Sequence, residues 1–275
     1  MNDDHFKEIL DHFRLSWPGY RKVRKGVIKR LVRHMQQMNV RHAGDYIEQI
    51  KKRPALRREA RRLLTVSTSH FFRDPFLWSY LEEHLLPALL LQKPARVNIW
   101  SAGCALGQEA YSFVMLWRLL ADTIGPLPPL SLLATDMNRE YLAMAVRGIY
   151  ARGIAREIPK DCLDRFFQFE NNRFIIQEDL RKSITWLQHD LTDAPPAHDP
   201  FHIIFMRNNL LTYCRKEIYQ DAVKTIFDAL ITGGHLIVGA RERLPCAEWG
   251  LFGVDDCPGV YHKIRVCHSC PSNIS

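Results

Sequence analysis

Hydrophobic positions in the first 65 residues recur at helical spacing. Over 20–38, Val23, Val27, Ile28, Leu31, Val32, Met35 and Met38 fall on one face, and Lys22, Lys25, Lys29, Arg30 and Arg33 on the other. Residues 43–50 and 54–64 carry the same period in shorter form, the second dense in arginine. No period-two alternation interrupts them, so residues 1–65 are predicted to be an all-helical N-terminal domain.

The pattern changes near residue 95. Arg96-Val97-Asn98-Ile99-Trp100 reads as a strand, the small residues from Ser101 to Gly107 as a loop, and 108–121 as a helix. After the Gly125-Pro126-Leu127-Pro128-Pro129 loop come a strand over 130–135 ending at Asp136 and a helix over 139–147. Further strands are predicted at 184–188, 201–205, 235–238 (after a Gly233-Gly234 turn) and 260–266, with a helix over 216–230. This alternation predicts an α/β domain over 66–275 with a doubly wound parallel sheet. The last two strands leave no room for a helical crossover and predict an antiparallel hairpin at the sheet edge. Phe166-Phe167-Gln168-Phe169 and Arg173-Phe174-Ile175-Ile176 flank Glu170-Asn171-Asn172, a short hairpin within a small β insertion at about 160–183.

Composition narrows the classes. A chain of 275 residues with 47% hydrophobic and 25% charged residues is that of a globular protein. No uninterrupted apolar run of about 18 residues occurs, so no membrane insertion is expected. The charged start, Met1-Asn2-Asp3-Asp4, lacks the apolar stretch of a signal peptide, and a cytoplasmic location is expected. The seven cysteines, at 104, 162, 214, 246, 257, 267 and 270, are odd in number and scattered, which is no disulfide framework. Cys267-His268-Ser269-Cys270 has metal-like spacing, with Cys257 and His262 upstream, but a lone Cys-x-x-Cys assigns no metal. Residues 1–65 hold 17 Lys/Arg against 7 Asp/Glu, within a chain of net charge +8. A basic end of this kind fits a polyanionic partner: nucleic acid, an acidic protein surface or anionic lipid.

The loop after the first strand is the first chemical candidate. Gly103 and Gly107 are spaced G-x-x-x-G, without the G-x-G-x-x-G that cradles a pyrophosphate, which favours an adenosine ligand lacking a diphosphate. Asp136 ends the second strand beside that loop, where a carboxylate can accept both hydroxyls of a ribose; Asp136 or Asn138 could equally cap the helix that follows.

Four ordered motifs resemble the chemotaxis-receptor glutamate methyltransferases, over about residues 15–265. They are Ser69-His70-Phe71-Phe72-Arg73-Asp74-Pro75; Trp100-Ser101-Ala102-Gly103-Cys104-Ala105-Leu106-Gly107-Gln108-Glu109-Ala110-Tyr111-Ser112; Leu133-Ala134-Thr135-Asp136-Met137-Asn138 followed by Ala145-Val146-Arg147-Gly148-Ile149-Tyr150; and Phe205-Met206-Arg207-Asn208-Asn209-Leu210-Leu211-Thr212-Tyr213. The resemblance implies a class I (Rossmann-like) methyltransferase sheet and an S-adenosyl-L-methionine site made by Ser67, Ser69, Arg73, Gly103, Glu109, Asp136, Asp190, Leu191, Arg207 and Asn208. Arg73, whose planar fork suits the carboxylate of the cofactor, could otherwise pair with Asp74 or Glu82; Tyr213 could pack beside the methyl group or adenine, or equally be a core tyrosine; these two are the residues expected nearest the chemistry. Ser67 and Ser69 stand where the family usually has asparagine and threonine, Gln108 replaces the first acid of a Glu-Glu pair, and Gly239-Ala240-Arg241-Glu242 stands for Gly-His-Ser-Glu.

The reaction so implied is methyl esterification of glutamate on a chemoreceptor. A glutamate carboxylate is ionised at pH 7, so no general base is required, and His70 is expected to pack or hydrogen-bond. The acceptor would be the receptor's cytoplasmic helical bundle, met by the basic helix over 20–38, with no nucleic acid involved. The alternatives are a catalytically silent cofactor-binding module and an enzyme retargeted to another protein or nucleic acid. With only Glu170-Asn171-Asn172 between its strands, the insertion is expected not to capture a C-terminal pentapeptide tether of the receptor.

Overall fold

Helices Asp3–His12, Trp17–Tyr20, Arg24–Gln37, Ala43–Lys52 and Pro54–Leu63 lead the chain in the computed structural model, which describes residues 1–67, 69–244 and 251–264. Asn2 caps the first of them, its side chain accepting the His5 N–H at 2.9 Å, with Asp3 and Asp4 in the first turn. The apolar stripes meet in one cluster that includes Phe6, Ile9, Leu31, Tyr46 and Ile50. Of the basic face, Lys22, Lys25, Lys29 and Arg33 are exposed, without an acidic partner among the described residues. Arg30 differs: it is half-buried, and its guanidinium donates to the carbonyls of Leu63 (3.0 Å) and Thr65 (2.6 Å), fixing the segment that leaves these helices.

The strands are β1 (Val97–Ala102), β2 (Leu130–Asp136), β3 (Ile149–Ala151), β4 (Phe167–Glu170), β5 (Arg173–Ile176), β6 (Ile184–Gln188), β7 (Phe201–Met206), β8 (Leu230–Val238), β9 (Leu251–Gly253) and β10 (Val260–Lys263). Seven form one sheet in the order β6-β2-β1-β7-β8-β10-β9. The first five are parallel, and β10 is antiparallel to both its neighbours. Alternate residues serve opposite faces: Val97, Ile99, Leu132 and Phe205 pack with the Gln108–Ile124 helix, while Trp100, Ala102, Leu133 and Met206 pack with the Lys216–Asp228 helix. Burial on both faces explains the near-continuous apolar runs of β1 and β7.

The sheet departs from expectation at one edge. The outermost strand is β9, three residues inside the long connection after β8 and too short to show alternation. β8 begins at Leu230, and Gly233 (φ +84°) lies within it, at a register shift against Phe201 and Ile203 of β7. A bulge, not a turn, uses that glycine. Of the cysteine motif, Cys267 and Cys270 lie outside the described residues; Cys257 is buried, and His262 stacks on His235 at 4.8 Å. Among the described residues no group of three or more metal-ligating side chains converges, and no helix is long and apolar enough to cross a membrane.

The insertion is a three-stranded sheet in the order β3-β5-β4. Asn171 (φ +49°) and Asn172 (φ +60°) make a two-residue connection between β4 and β5, the left-handed pair that a tight hairpin requires. β3 was not foreseen; it follows directly on Gly148, which ends the Arg139–Arg147 helix.

The N-terminal helices close over the carboxyl edge of the main sheet. Leu15 forms a β-bridge with Cys214, the Ser16 N–H donates to the Tyr213 carbonyl (2.8 Å), and Asp11 pairs with Arg215. Gly19 permits this approach: a Cβ there would lie 2.1 Å from the Thr212 carbonyl oxygen, a backbone atom with nowhere to go. Gly19→Ala should therefore destabilise the protein by about 1–3 kcal/mol, read as a lowered urea midpoint; an unchanged midpoint would show the contact to be loose.

Candidate functional site

Strand order reverses between β1 and β7, with β2 on one side of β1 and β7 on the other, and a crevice opens beyond the carboxyl ends of the parallel strands at such a point. The cleft found there has an empty volume of about 1100 Å³, its open mouth included. It is lined by the loop after β1 (Gly103, Cys104, Ala105), the end of β2 (Asp136, Met137), the segment after β6 (His189, Asp190, Leu191) and the segment after β7 (Arg207 to Leu210). Ser69, Arg73, Glu109 and Tyr213 also line it, as do Tyr20, Arg61 and Thr65 from the N-terminal side, while Ser67, half-buried, does not.

The glycine loop is held from below. The N–H groups of Gly103 and Cys104 both donate to the Thr135 carbonyl at 2.8 Å, and Gly103, Ala105 and Gly107 all have positive φ. A Cβ on Gly103 would stand 2.6 Å from the Asn209 amide nitrogen, which itself donates to the Ala102 carbonyl at 2.6 Å. A Cβ on Gly107 would meet Trp186 and Ala145 at under 3.0 Å, so that glycine serves packing.

Asp136 is buried. Its two oxygens accept the N–H of Ala105 (2.9 Å) and of Asn138 (2.8 Å). Burial pushes its carboxyl above the usual range, with the charge of Asp190 adding to that, while the two N–H groups oppose it. The helix cap belongs to Asn138, whose side chain accepts the N–H groups of Glu140 and Tyr141. Each Asp136 oxygen keeps a free lone pair for a ligand hydroxyl. Asp190 is itself held: Arg61 contacts it at 3.2 Å, and the Thr192 N–H and hydroxyl donate to it at 3.0 and 2.8 Å.

Two buried hubs hold the other end. Arg207 donates to Asp74 (2.5 Å), to Glu109 (3.1 Å) and to the Arg73 carbonyl (2.9 Å). Glu109, in the first turn of its helix, also accepts from the Ser101 hydroxyl at 2.7 Å, so both its oxygens are engaged. Arg73 donates to the Asn208 side-chain oxygen at 3.0 Å. The second hub, Glu242, accepts the N–H groups of Asn208 (2.8 Å) and Gly239 (2.7 Å) and the Thr212 hydroxyl (2.5 Å). It fixes Asn208 at φ +55°. Ala240 and Arg241, where the chain departs from Gly-His-Ser-Glu, are exposed, so the buried acid survives the change.

His70 pairs with Glu157 at 2.8 Å, a hydrogen-bonding role as expected. Gln108 donates to the Ser69 carbonyl at 3.1 Å, which a glutamate could not do. Tyr213 packs edge-on against Tyr20 at 5.0 Å and touches both the cleft and the N-terminal core. Sequence reasoning missed Glu242, Asn209 and Arg61. The acid closing Gly239-Ala240-Arg241-Glu242 and the doubled Asn208-Asn209 carried a signal for the first two; Arg61, 129 residues from Asp190, had none.

The residues suit S-adenosylmethionine. A buried carboxylate faces a backbone loop at one end, an arginine fork lies at the other, and Cys104, Met137, Leu191 and Leu210 give an apolar floor between. A five-stranded parallel run with an antiparallel strand inserted before the edge, and this cleft at its switch point, define a class I methyltransferase. Residues 67–256 match the family model described as CheR methyltransferase, SAM binding domain, and the chain belongs to that family. It is 30% identical over 220 residues to an uncharacterized 104.1 kDa protein in the hypE 3′ region of Rhodobacter capsulatus, covering 79% of this chain and 23% of that one. It is 28% identical to the chemotaxis protein methyltransferase Cher2 of Pseudomonas putida, covering 87% of this chain and 89% of the relative. With the chemotaxis protein methyltransferase of Listeria monocytogenes identity is 32%, covering 76% and 78%. A solved TehB-like SAM-dependent methyltransferase from Corynebacterium glutamicum aligns with a TM-score of 0.38 at 15% identity, over 68% of this chain and 94% of that one, so the fold assignment rests on the strand order itself.

The Glu242 hub yields a direct expectation. Glu242→Ala removes the acceptor that the Asn208 and Gly239 N–H groups and the Thr212 hydroxyl share, and should cost about 1–3 kcal/mol in denaturation and weaken S-adenosylhomocysteine binding in calorimetry. Arg241→Ala, on the exposed neighbour, should leave both within about 0.5 kcal/mol.

Proposed function

We propose that this protein methylates glutamate carboxylates on the cytoplasmic helical bundle of a chemoreceptor, acting in the cytoplasm. The observation that carries the reading is the cleft itself: the buried Asp136 carboxylate at one end and the Arg73 fork at the other. S-adenosylmethionine supplies a methyl carbon on a sulfonium, an electrophile that an ionised carboxylate attacks without prior deprotonation. The chain's part is to bind, orient and exclude water. Asp136 accepts the ribose hydroxyls, Arg73 and Asn208 hold the amino-acid end, Asp190 and Leu191 border the adenine, and Glu109 and Arg207 keep that frame rigid. Tyr213 shields the methyl end from the N-terminal side.

The deciding experiment incubates the protein with radiolabelled cofactor and receptor membranes from its own host. Label should enter receptor in alkali-labile form, as a methyl ester. Stable label, or label in another protein or in RNA, would reassign the acceptor; cofactor binding with no transfer would make the protein a silent binding module.

Asp136→Ala should weaken S-adenosylhomocysteine binding by about 1.5–3 kcal/mol. Because burial raises the Asp136 pKa, the ionised acceptor is present above that raised value and is lost as pH falls through it. Affinity should therefore decline at pH values above the ordinary carboxylate value of about 3.9. Unchanged calorimetric affinity in a folded Asp136→Ala protein would remove the ribose assignment.

Residues 1–65 act as the receptor-facing domain in this reading, through exposed Lys22, Lys25, Lys29 and Arg33. The two-residue Asn171-Asn172 turn leaves the β insertion little spare backbone for a peptide strand, so docking is tether-independent. Replacing Lys25, Lys29 and Arg33 together by alanine should raise the KM for receptor without altering cofactor affinity, and added salt should do the same to the wild type. Deleting the receptor's terminal pentapeptide should leave rates unchanged; micromolar binding of that peptide would overturn the tether-independent reading.

A further inference from the structure

A second cavity lies at the seam where the N-terminal helices meet the methyltransferase sheet, with an empty volume of about 900 Å³ including its open side. Its wall is drawn from both parts of the chain: His12, Arg14, Arg57 and Arg61 from one, Thr192 and Ile218 from the other. Among the described residues, no aspartate or glutamate lines it. The arginines arrive there for separate structural reasons. Arg14 sits at φ +53°, its carbonyl taken by the Arg215 N–H and the next residue bridged to Cys214. Arg57 and Arg61 lie one turn apart on the Pro54–Leu63 helix. Arg61 is shared with Asp190 and Thr192, but Arg14 and Arg57 have no acidic partner among the described residues. His12 Nε2 is buried without a hydrogen-bond partner.

Like charges gathered around a cavity repel one another, and an anion placed among them relieves that repulsion. A single carboxylate satisfies one guanidinium fork. A phosphate, with three or more acceptor oxygens and a charge near −2, can serve several at once. The neighbouring apolar wall, Phe13, Leu15 and Ile218, offers a surface to the body of an ester. We propose that this seam cavity is a binding site for a phosphate-bearing small molecule, separate from the methyl-donor cleft. The two cavities adjoin, since Leu15, Arg61 and Cys214 line both. A ligand here would touch both parts of the chain and so strengthen their packing.

The test must keep the donor cleft filled, so the protein is first saturated with S-adenosylhomocysteine. Inorganic phosphate, phenyl phosphate and benzoate are then titrated calorimetrically. Phenyl phosphate should bind and raise the melting temperature, and benzoate should bind at least about tenfold more weakly. Tighter binding of phenyl phosphate than of inorganic phosphate identifies an ester; equal binding identifies the free ion; either supports the site. The double variant Arg14→Ala/Arg57→Ala, altering exposed side chains, should weaken phosphate binding about tenfold or more with S-adenosylhomocysteine affinity unchanged. No binding of either phosphate by about 10 mM, equal binding by the double variant, or competition with S-adenosylhomocysteine would overturn the proposal.

Discussion

A buried guanidinium has to be met by negative charge or the fold fails around it, and Arg207 is the group on which this structure turns. It leaves the end of β7 and reaches Glu109 on the helix after the glycine loop, and Asp74 and the Arg73 carbonyl on the segment entering from the N-terminal side. Three stretches far apart in sequence are thus pinned to one side chain. The positive-φ backbone of Phe72 and Asp74 can persist because that anchor, with the Ser112 hydroxyl accepting the Phe72 N–H, over-determines it. Removing either carboxylate would leave the cation under-paired in a dry place, a cost larger than the pair's own net contribution.

Glu242 is the complementary case, a buried anion met by donors in place of a cation. Its three contacts tie the ends of β7 and β8 together and set the backbone of Asn208, whose side chain in turn receives Arg73. The two hubs converge on Arg73 from opposite sides, one through its carbonyl and one through its guanidinium. A binding residue held at both ends loses little conformational freedom when a ligand arrives, which is what preorganisation means in physical terms.

Much of this was legible in the sequence because periodicity and motif chemistry are local. Helical stripes, the strand–loop–helix of residues 97–124 and the Asp136 strand end all follow from neighbours along the chain. The residues that escaped notice act through space. β3 and β9 are three residues each, below the length at which alternation speaks, and gain their identity only from a partner strand. Arg30 looked like one more exposed cation on a basic face, yet the last carbonyl of the Pro54–Leu63 helix and the Thr65 carbonyl just beyond it needed a donor and took it. Gly233-Gly234 resembled a turn because glycine's freedom serves bulges and turns alike.

The N-terminal helices do more than present charge. Tyr20, Leu64, Thr65 and Arg61 line the donor cleft, and the Asn138 amide donates to the Thr65 hydroxyl at 3.1 Å, two residues along from the Asp136 carboxylate. The basic face and the roof of the cleft therefore belong to one small cluster of helices sharing one apolar core. Arg30 joins them directly, since it lies in the same helix as Lys25, Lys29 and Arg33 and holds the Leu63 and Thr65 carbonyls. A partner bound to that face would load a rigid element whose other side is the wall beside the methyl donor. A shift of the Arg24–Gln37 helix would pull on the Leu63 and Thr65 carbonyls that Arg30 holds, and through them on the Thr65 contact to Asn138.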